Sequence, residues 1–571
     1  MRTLGIDLGT TFSVVATLDS AGRPMILPNP LGEEATPSVV CFESPGSVLV
    51  GSAAYNAGPA FPDRTVALIK RQMGTDRLLR FDGVEYTPEA VSALILRALV
   101  HGVLPGHRPE SGRTVPAVVT VPAYFGIRER EATQQACLLA GVRPLELVSE
   151  PVAAAVHYGF SDVAGIGTAL VYDLGGGTFD GTVLSLGGRI QVAATDGDTE
   201  LGGADWDRRL VSFLLEQFLA RVEPADDPAD DEVFMAELLL TAERVKRALS
   251  STSVHRVPIR YGGRGVTVTV SRDDFEAASR DLVDRSLVVL RRLLDAAGRA
   301  GVAEIDHCLL VGGSSKMPMI AAALAAEFGW RPRLFDPDLA VAKGAALRAH
   351  QLTQLAVQDR PETGDREPGP RRTRPWTRGG GADGGGSTPV RVDWRRPDAA
   401  VVPVEAAPEF SPPGGSGLSI APAASVASRG LGPLVHDSHD RTGEHRFVAH
   451  VIHQNDPLPV ANRELTLATI LDNQRSVRIE VYEQAGAVES AEVADNRPVL
   501  DGELTGLPER LPAGSPIRLS LGLGLDGRLS ITASEPGSGA SLTLEACIDG
   551  VLDRAGRETV AHDLAALTVR H

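Results

Sequence analysis

The sequence predicts an α/β domain of two lobes, then a linker, then an antiparallel β-sandwich. Three observations carry this. Strand-like and helix-like patterns alternate from residue 1 to about 352, a length that exceeds one comfortable core. A strand–glycine turn–strand unit occurs twice, at 5-GIDLGTTFS-13 and 171-VYDLGGGTFDG-181, which suggests two related halves. Several short runs of alternating apolar and polar residues follow residue 445, as in a sandwich.

The second unit is the most informative stretch. Val171 and Tyr172 are β-formers, and Phe179, Val183 and Leu184 resume the extended pattern. Gly175, Gly176 and Gly177 expose successive backbone N–H groups with no Cβ in the way, a ready anion site for which phosphate is the usual guest. Asp173 and Asp180 bracket the turn, and Thr178 adds a hydroxyl. A carboxylate beside a phosphate calls for a cation between them, and Mg²⁺ takes oxygen ligands while keeping several waters. Taken alone, a structural hairpin turn explains the stretch equally well. The recurrence tips the balance: Asp7 matches Asp173 and Phe12 matches Phe179. Two such hairpins face to face would clamp a polyphosphate chain. No G-x-x-x-x-G-K-[ST] occurs, and no G-x-G-x-x-G opens a helix after a strand, so P-loop and dinucleotide folds are disfavoured.

Strands are predicted at 3–8, 13–18, 117–121, 168–173 and 307–311. Amphipathic helices are predicted at 88–101, 127–140, 206–221, 232–250, 273–296 and 317–328. Along this framework several residues have two readings. Lys70, in 64-RTVALIKRQMG-74, is a solvated charge or a cation reaching a terminal phosphate. Pro122 ends a buried-type strand, and Arg130 is an exposed helix arginine or faces a neighbouring domain. Glu150, before Pro151, complements a helix dipole or holds a metal-bound water. Gly202 and Gly203 form a turn before a helix. Glu243, Lys246, Arg247 and Ser250 share one helix face, either solvated or walling a ribose and adenine. Gly312 and Gly313, in 309-LLVGGSSKMP-318, form a third strand–glycine turn, and 335-FDPDLAVAKGAALRA-349 is a capped helix.

Composition sets the class. A chain of 571 residues implies several domains. The net charge of −17, from 56 basic and 73 acidic residues, disfavours a general nucleic-acid binder. Cys41, Cys137, Cys308 and Cys547 lie far apart without C-x-x-C, and read as buried free thiols of a reducing compartment. Strand-like sequence begins at Thr3, which leaves no room for a signal peptide, and no apolar run nears the roughly 20 residues of a membrane span. A cytoplasmic location is expected.

Together, and in order over about 1–352, these motifs resemble the nucleotide-binding domain of the heat shock protein 70 family (DnaK-type chaperones), within the actin–hexokinase superfamily. The resemblance implies an actin-like ATPase domain, a duplicated ribonuclease-H-like motif in two lobes, with ATP or ADP and Mg²⁺ in the cleft. It implies that Gly9, Thr10, Thr11 and Phe12 line one phosphate loop and Gly175, Gly176, Gly177 and Thr178 the other. Asp7 and Asp173 would orient Mg²⁺ largely through waters. Lys70, Glu150, Asp173 and Thr178 would be catalytic. Gly202, Gly203, Glu243, Lys246, Arg247, Ser250, Gly312, Gly313, Ser314, Lys316 and Asp338 would complete the nucleotide site. The family usually has arginine at the position of Lys316, which keeps the charge but stacks less well on adenine. Pro122 and Arg130 match a proline switch and an interdomain arginine.

Departures begin after residue 352. The family's short leucine-rich acidic linker is replaced by 353–424, rich in Pro, Gly, Arg and Ala, a composition that cannot order itself. Its cluster Arg371, Arg372, Arg374, Trp376 and Arg378 reads as part of a solvated tether, or as a site for an acidic partner or nucleic acid. Residues 425–552 resemble the family's β-sandwich substrate-binding domain, best at 456-DPLPV-460, 472-DNQRSVRIEVYE-483 and 525-LDGRLSITASE-535. The resemblance puts Leu467, Ile470, Val477 and Ile479 at an apolar peptide pocket; sandwich core is their other reading. The loop 436-HDSHDRTGEHR-446 is polar where the family has an apolar arch. Residues 553–571 are expected to be a short tail, leaving a lidless variant. The expected function is therefore an ATP-hydrolysing chaperone that binds unfolded or apolar peptide segments, with a J-domain co-chaperone and a nucleotide exchange factor as implied partners and no membrane. The alternative is a nucleotide-gated scaffold or sensor with one dedicated partner on the β domain. A sugar kinase on the same fold is disfavoured by the C-terminal matches.

Overall fold

The structure is a computed structural model. It describes residues 3–104, 114–159, 167–187, 190–334, 336–358, 425–437, 445–524, 527–545 and 554–570.

Two sheets with the same wiring build the first half of the chain. In one, Leu4–Asp7 pairs antiparallel with Phe12–Leu18, which pairs antiparallel with Pro24–Ile26. On its other side Leu4–Asp7 runs parallel to Val115–Val121, and that strand to Val142–Ser149. In the other sheet, Gly167–Leu174 pairs antiparallel with Phe179–Leu186, which pairs antiparallel with Ile190–Asp198. Its other neighbour is the parallel His307–Val311, followed by the parallel Arg333–Leu334. Strand for strand, one sheet repeats the other. The repeat seen in two hairpins thus extends to two whole lobes, the duplicated wiring expected from the sequence.

Each lobe has its own core. Val115–Val121 is buried at every position, as a strand with parallel neighbours and both faces covered must be. In the first lobe the helix Pro88–Val103 is apolar nearly all round and packs into a cluster with Leu4, Ile6, Val119 and Ala136. In the second, Trp206, Leu210, Leu214 and Phe218 recur at helical spacing along Gly203–Leu219 and pack under Tyr172 and Phe179. A third cluster, between Glu150–His157 and Ala340–Gln358, ties the lobes together.

The predicted helices stand, with three corrections. The helix predicted at 273–296 is two, Arg272–Ala278 and Arg280–Arg299; Ser279 turns between them and donates its hydroxyl back to the Phe275 carbonyl at 2.7 Å. The helix predicted at 206–221 begins earlier, at Gly203. The closing helix of the two-lobed domain runs to Gln358, so the boundary drawn at 352 moves outward by a turn and a half. The rest of the predicted linker, with the Arg371–Arg378 cluster, lies outside the described residues.

Beyond residue 425 two four-stranded antiparallel sheets face each other. One contains Arg446–Val448, Leu431–His436, Val477–Gln484 and Asn496–Leu504; the other contains Val460–Ala468, Pro516–Leu523, Leu529–Ser534 and Ser541–Glu545. Ile479, Val481, Leu519, Leu521 and Ile531 fill the space between, so this is the predicted sandwich. Residues 438–444 of the polar loop lie outside the described residues. The predicted tail is structured: a helix, Arg554–Ala565, and a strand, Thr568–Arg570, lie on the first lobe. No described helix is long and apolar enough to cross a membrane.

Candidate functional site

The two glycine hairpins meet tip to tip between the lobes. In the second, Asp173 pairs with Asp180 and Leu174 with Phe179, and the Gly175 N–H donates to the Thr178 carbonyl at 3.0 Å. A Cβ built on Gly176 would overlap Thr11 Oγ1, and one on Gly177 would overlap Thr10. Only glycine lets the tips approach this closely. The Thr11 hydroxyl at this contact is buried and has no partner among the described residues. The helix Gly203–Leu219 starts against the same loop: the N–H groups of Gly203 and Ala204 donate to the carbonyls of Gly175 and Gly176, at 3.0 and 2.8 Å.

Four carboxylates, the buried Glu150, Asp173 and Asp180 and the half-buried Asp7, and one lysine line the floor below. Lys70 Nζ donates to Glu150 Oε1 at 2.6 Å, and Lys70 is only 5% exposed, so the solvated reading of this residue falls. Thr120 Oγ1 donates to Asp7 Oδ1 at 2.9 Å. Burial, and then the charge of Glu150, push the Asp7 carboxyl up to about 7 against the pull of Lys70. Burial likewise raises Asp173 and Asp180 well above the usual carboxylate range, with Glu150 adding to both. So much negative charge around one ammonium is what a divalent cation would relieve. Among the described residues no three acids, histidines or cysteines are grouped to ligate an ion by themselves. A cation here would rest on phosphate and water as well as on Asp7 and Asp173. The glycine-lined N–H row, the orphaned Thr11 hydroxyl and this donor set fit Mg²⁺ with a polyphosphate.

The helix Glu232–Ser251 carries further candidates. Lys246 Nζ donates to the Gly203 carbonyl and to Asp207 Oδ2, both at 2.8 Å. Burial raises Asp207 to about 6 although Lys246 opposes it, and its second oxygen is unpartnered among the described residues. The Arg247 guanidinium lies over the Phe12 ring, 4.9 Å from its centroid, and donates to Glu243 at 2.5 Å. Ser250 only donates back to the Lys246 carbonyl, at 3.3 Å. Ser314 is buried in the turn Gly313–Lys316, whose Lys316 pairs with Asp338, and Gly312 takes the left-handed φ of 79° beside Asp173.

Several participants carry no readable sequence signal. Tyr55 of the first lobe donates to Glu243 of the second at 2.6 Å. Arg71 crosses the cleft to the Gly177 carbonyl and to Asp205, both at 2.6 Å. Phe125 lies under Lys70, with Nζ 5.8 Å from the ring centroid. Each partner is remote in sequence, and residue type alone does not announce it.

Pro122 and Arg130 flank the segment where the β-sandwich touches the first lobe. The helix Ile127–Leu139 opens at Gly126, which has no side chain to cap it. The cap comes from the sandwich: Glu483 Oε1 accepts from the Ile127 N–H at 2.9 Å. Arg497 grips Glu483 at 2.6 Å and Glu129 at 2.5 Å, and Arg429 reaches Glu129 at 3.3 Å. Burial raises the Glu129 carboxyl, but Arg429 and Arg497 outweigh it and hold it at about 2. Ser428 and Arg429 donate to the carbonyls of Phe125 and Tyr124. Arg130 itself donates to the Phe125 carbonyl at 3.1 Å and is half-buried at this junction, so it is not a fully exposed helix arginine.

The four peptide-pocket candidates separate. Ile479 is 2% exposed inside the sandwich, and Leu467 and Val477 are half-buried against its core. Ile470 stands out at 62% exposed, next to Leu471 at 64%. Ile479 is thus a core residue, because alternation along Val477–Gln484 turns it inward.

A family model described as Hsp70 protein matches residues 3–360.

Proposed function

From the premise that this chain belongs to the Hsp70 family, whose members are ATPases that regulate peptide binding, we propose that it hydrolyses ATP to control the grip of its β domain on apolar peptide segments. The observation that carries the reading is the meeting of the two glycine hairpins above the buried Lys70–Glu150 pair. Bound ATP with Mg²⁺ would supply the anhydride bond and the charge that the acids balance.

This chain's own residues do the rest by position and charge. The N–H groups around Gly9–Phe12 and Gly176–Thr178 hold phosphate oxygens from two walls. Lys70, fixed by Glu150, supplies positive charge where it builds up on the transferring group. Asp173 and Glu150 accept protons of an attacking water, and Thr178 orients it. Arg247, Lys246 and Glu243 close over the nucleoside from one side, with Gly313, Ser314 and Lys316 on the other. Tyr55 and Arg71 link the lobes, so they close around a filled site and keep water out.

Coupling to the β domain runs through a short, contiguous path. Glu483 and Arg429 hold the segment 124–127; Phe125 lies under Lys70, and Asp180 Oδ1 accepts from the Tyr124 N–H at 3.5 Å. A change at the phosphates therefore reaches the sandwich within a few residues. A J-domain co-chaperone and an exchange factor are the partners the family suggests.

A second reading keeps the ATPase but gives the sandwich one dedicated partner. The burial of Ile479 favours it, since the apolar surface left at Ile470 and Leu471 is small. Peptide dissociation measured with and without ATP separates the two. ATP-accelerated release of an apolar peptide supports the chaperone cycle, and an unchanged off-rate removes it.

A further inference from the structure

The segment 554–570 leaves the sandwich and returns to the ATPase domain. Thr568, Val569 and Arg570 pair in parallel with Ser47, Val48 and Leu49, and the Thr568 N–H donates to the Gly46 carbonyl at 2.9 Å. They complete the small sheet of the first lobe, whose strands Ser47–Val50, Val40–Ser44 and Thr65–Val66 would otherwise expose an edge. The helix Arg554–Ala565 packs against Pro88–Val103 and Ile127–Leu139. Leu564 is 3% exposed and belongs to the first-lobe core, with Val560, Leu567 and Val569 packed beside it. Arg97 Nη1 donates to the Leu564 carbonyl at 2.6 Å.

Two features make this more than a cover. The helix Ile127–Leu139 is held by the sandwich at its N-terminus, through Glu483, and by the returning helix as well. The residues 546–553, between the last sandwich strand and the returning helix, span at most about 30 Å when extended. The other connection, residues 359–424, has a contour length above roughly 200 Å. While the strap is paired, the sandwich is therefore on a short leash, at an effective concentration on the order of millimolar.

We propose that residues 554–570 are a latch: they occupy the strand-acceptor edge Ser47–Val50 in cis, hold the β domain against the first lobe, and must peel off before the domains separate. A helix of 12 residues is marginal alone in water, and three paired residues are few. The segment is thus either docked or unfolded, which makes it a two-state element.

The test uses the full chain with two variants, Leu564→Asp, which removes the apolar anchor, and Thr568→Pro, which deletes the N–H bonded to Gly46 and leaves the core intact. Amide hydrogen exchange and small-angle scattering are the readouts. In the wild type the amides of 566–570 and 47–50 are protected. At the amides it retains there, each variant should exchange at least tenfold faster, should lose protection at 127–130, and should scatter with a larger radius of gyration, while 115–121 stays protected. Three results overturn the proposal: wild-type 566–570 exchanging like free peptide; strap release that leaves 127–130 and the radius unchanged; or a wild-type dimer, which would mean the edge is filled by a second copy. None of these readouts needs nucleotide, so they stand apart from the proposed ATPase cycle.

Discussion

Replacing Arg497 by methionine removes the charge at the centre of the domain junction and keeps the side chain's volume. Arg497 donates to Glu483 at 2.6 and 3.0 Å and to Glu129 at 2.5 Å. Without it Glu129 keeps the ion pair with Arg429, Glu483, 1% exposed, keeps the Ile127 N–H, and the charge of Arg130 still acts on both acids. Removing one partner of a buried ion pair costs about 3–5 kcal/mol. The pull on Glu129 points the same way, its carboxyl being held at about 2 against an ordinary 4.5. That gap corresponds to roughly 3 kcal/mol, part of it owed to Arg429. The penalty falls on the docked arrangement alone, because separated domains rehydrate their carboxylates. Arg497→Met should thus shift docking by about 2–4 kcal/mol, or ~30- to ~1,000-fold. Hydrogen exchange of the 127–130 amides in the full chain reads this, with Val115–Val121 as internal control. Protection within threefold of wild type, with an unchanged control, would refute the reasoning. The pH dependence has a definite sign. Glu129 has a depressed pKa in the docked form, so its contribution is complete above about 4.5 and lost as pH falls toward about 2. Between pH 7 and 5 docking should not weaken through this group.

Lys70→Ala and Asp173→Asn should each retain the fold and ATP binding but lower turnover by roughly 10²-fold; unchanged single-turnover hydrolysis in both would remove their assigned roles. Gly176→Ala drives a Cβ into Thr11 and should cost about 1–3 kcal/mol at the hairpin contact. Calorimetry should then show ATP affinity at least several-fold weaker, and wild-type affinity would mean the tips do not define the site. Ile479→Asp buries a charge in the sandwich and should destabilise it by about 3 kcal/mol or more. Ile470→Asp should change stability by less than about 0.5 kcal/mol while weakening apolar-peptide binding; equal thermal shifts in the two variants would contradict their different burial.

The two-lobed first half of the chain was legible because its signals are local. Strand, glycine turn and aspartate fall within a dozen residues, and the unit occurs twice. Lys70 and Glu150 each had two readings from the residues alone and took a role only from the family resemblance; their pairing across 80 positions was not readable, nor was the reach of Tyr55 to Glu243. The sandwich was less legible because its missed strands contain breakers. Leu431–His436 holds Gly432 and Pro433, and Asn496–Leu504 holds Pro498 and Gly502. Pro498 is tolerated because it sits where the register with Val481 and Tyr482 slips. At Gly502 a Cβ would press on the Leu544 side chain of the other sheet. The strand Thr568–Arg570 is three residues long and borrows its partner from the far end of the chain, so no periodicity could reveal it.

Gly126 has a consequence for how the chain senses its own assembly. A serine or aspartate at that position would give the helix Ile127–Leu139 an oxygen of its own, and the first turn would be complete whatever its surroundings. Glycine leaves the turn unfinished, and the missing ligand is a carboxylate carried 357 positions later by Glu483. A side chain at 126 would also collide with that carboxylate. The order of one helical turn thereby becomes a reporter, legible to Phe125 and Lys70 next door, of whether two distant parts of the polypeptide are in touch.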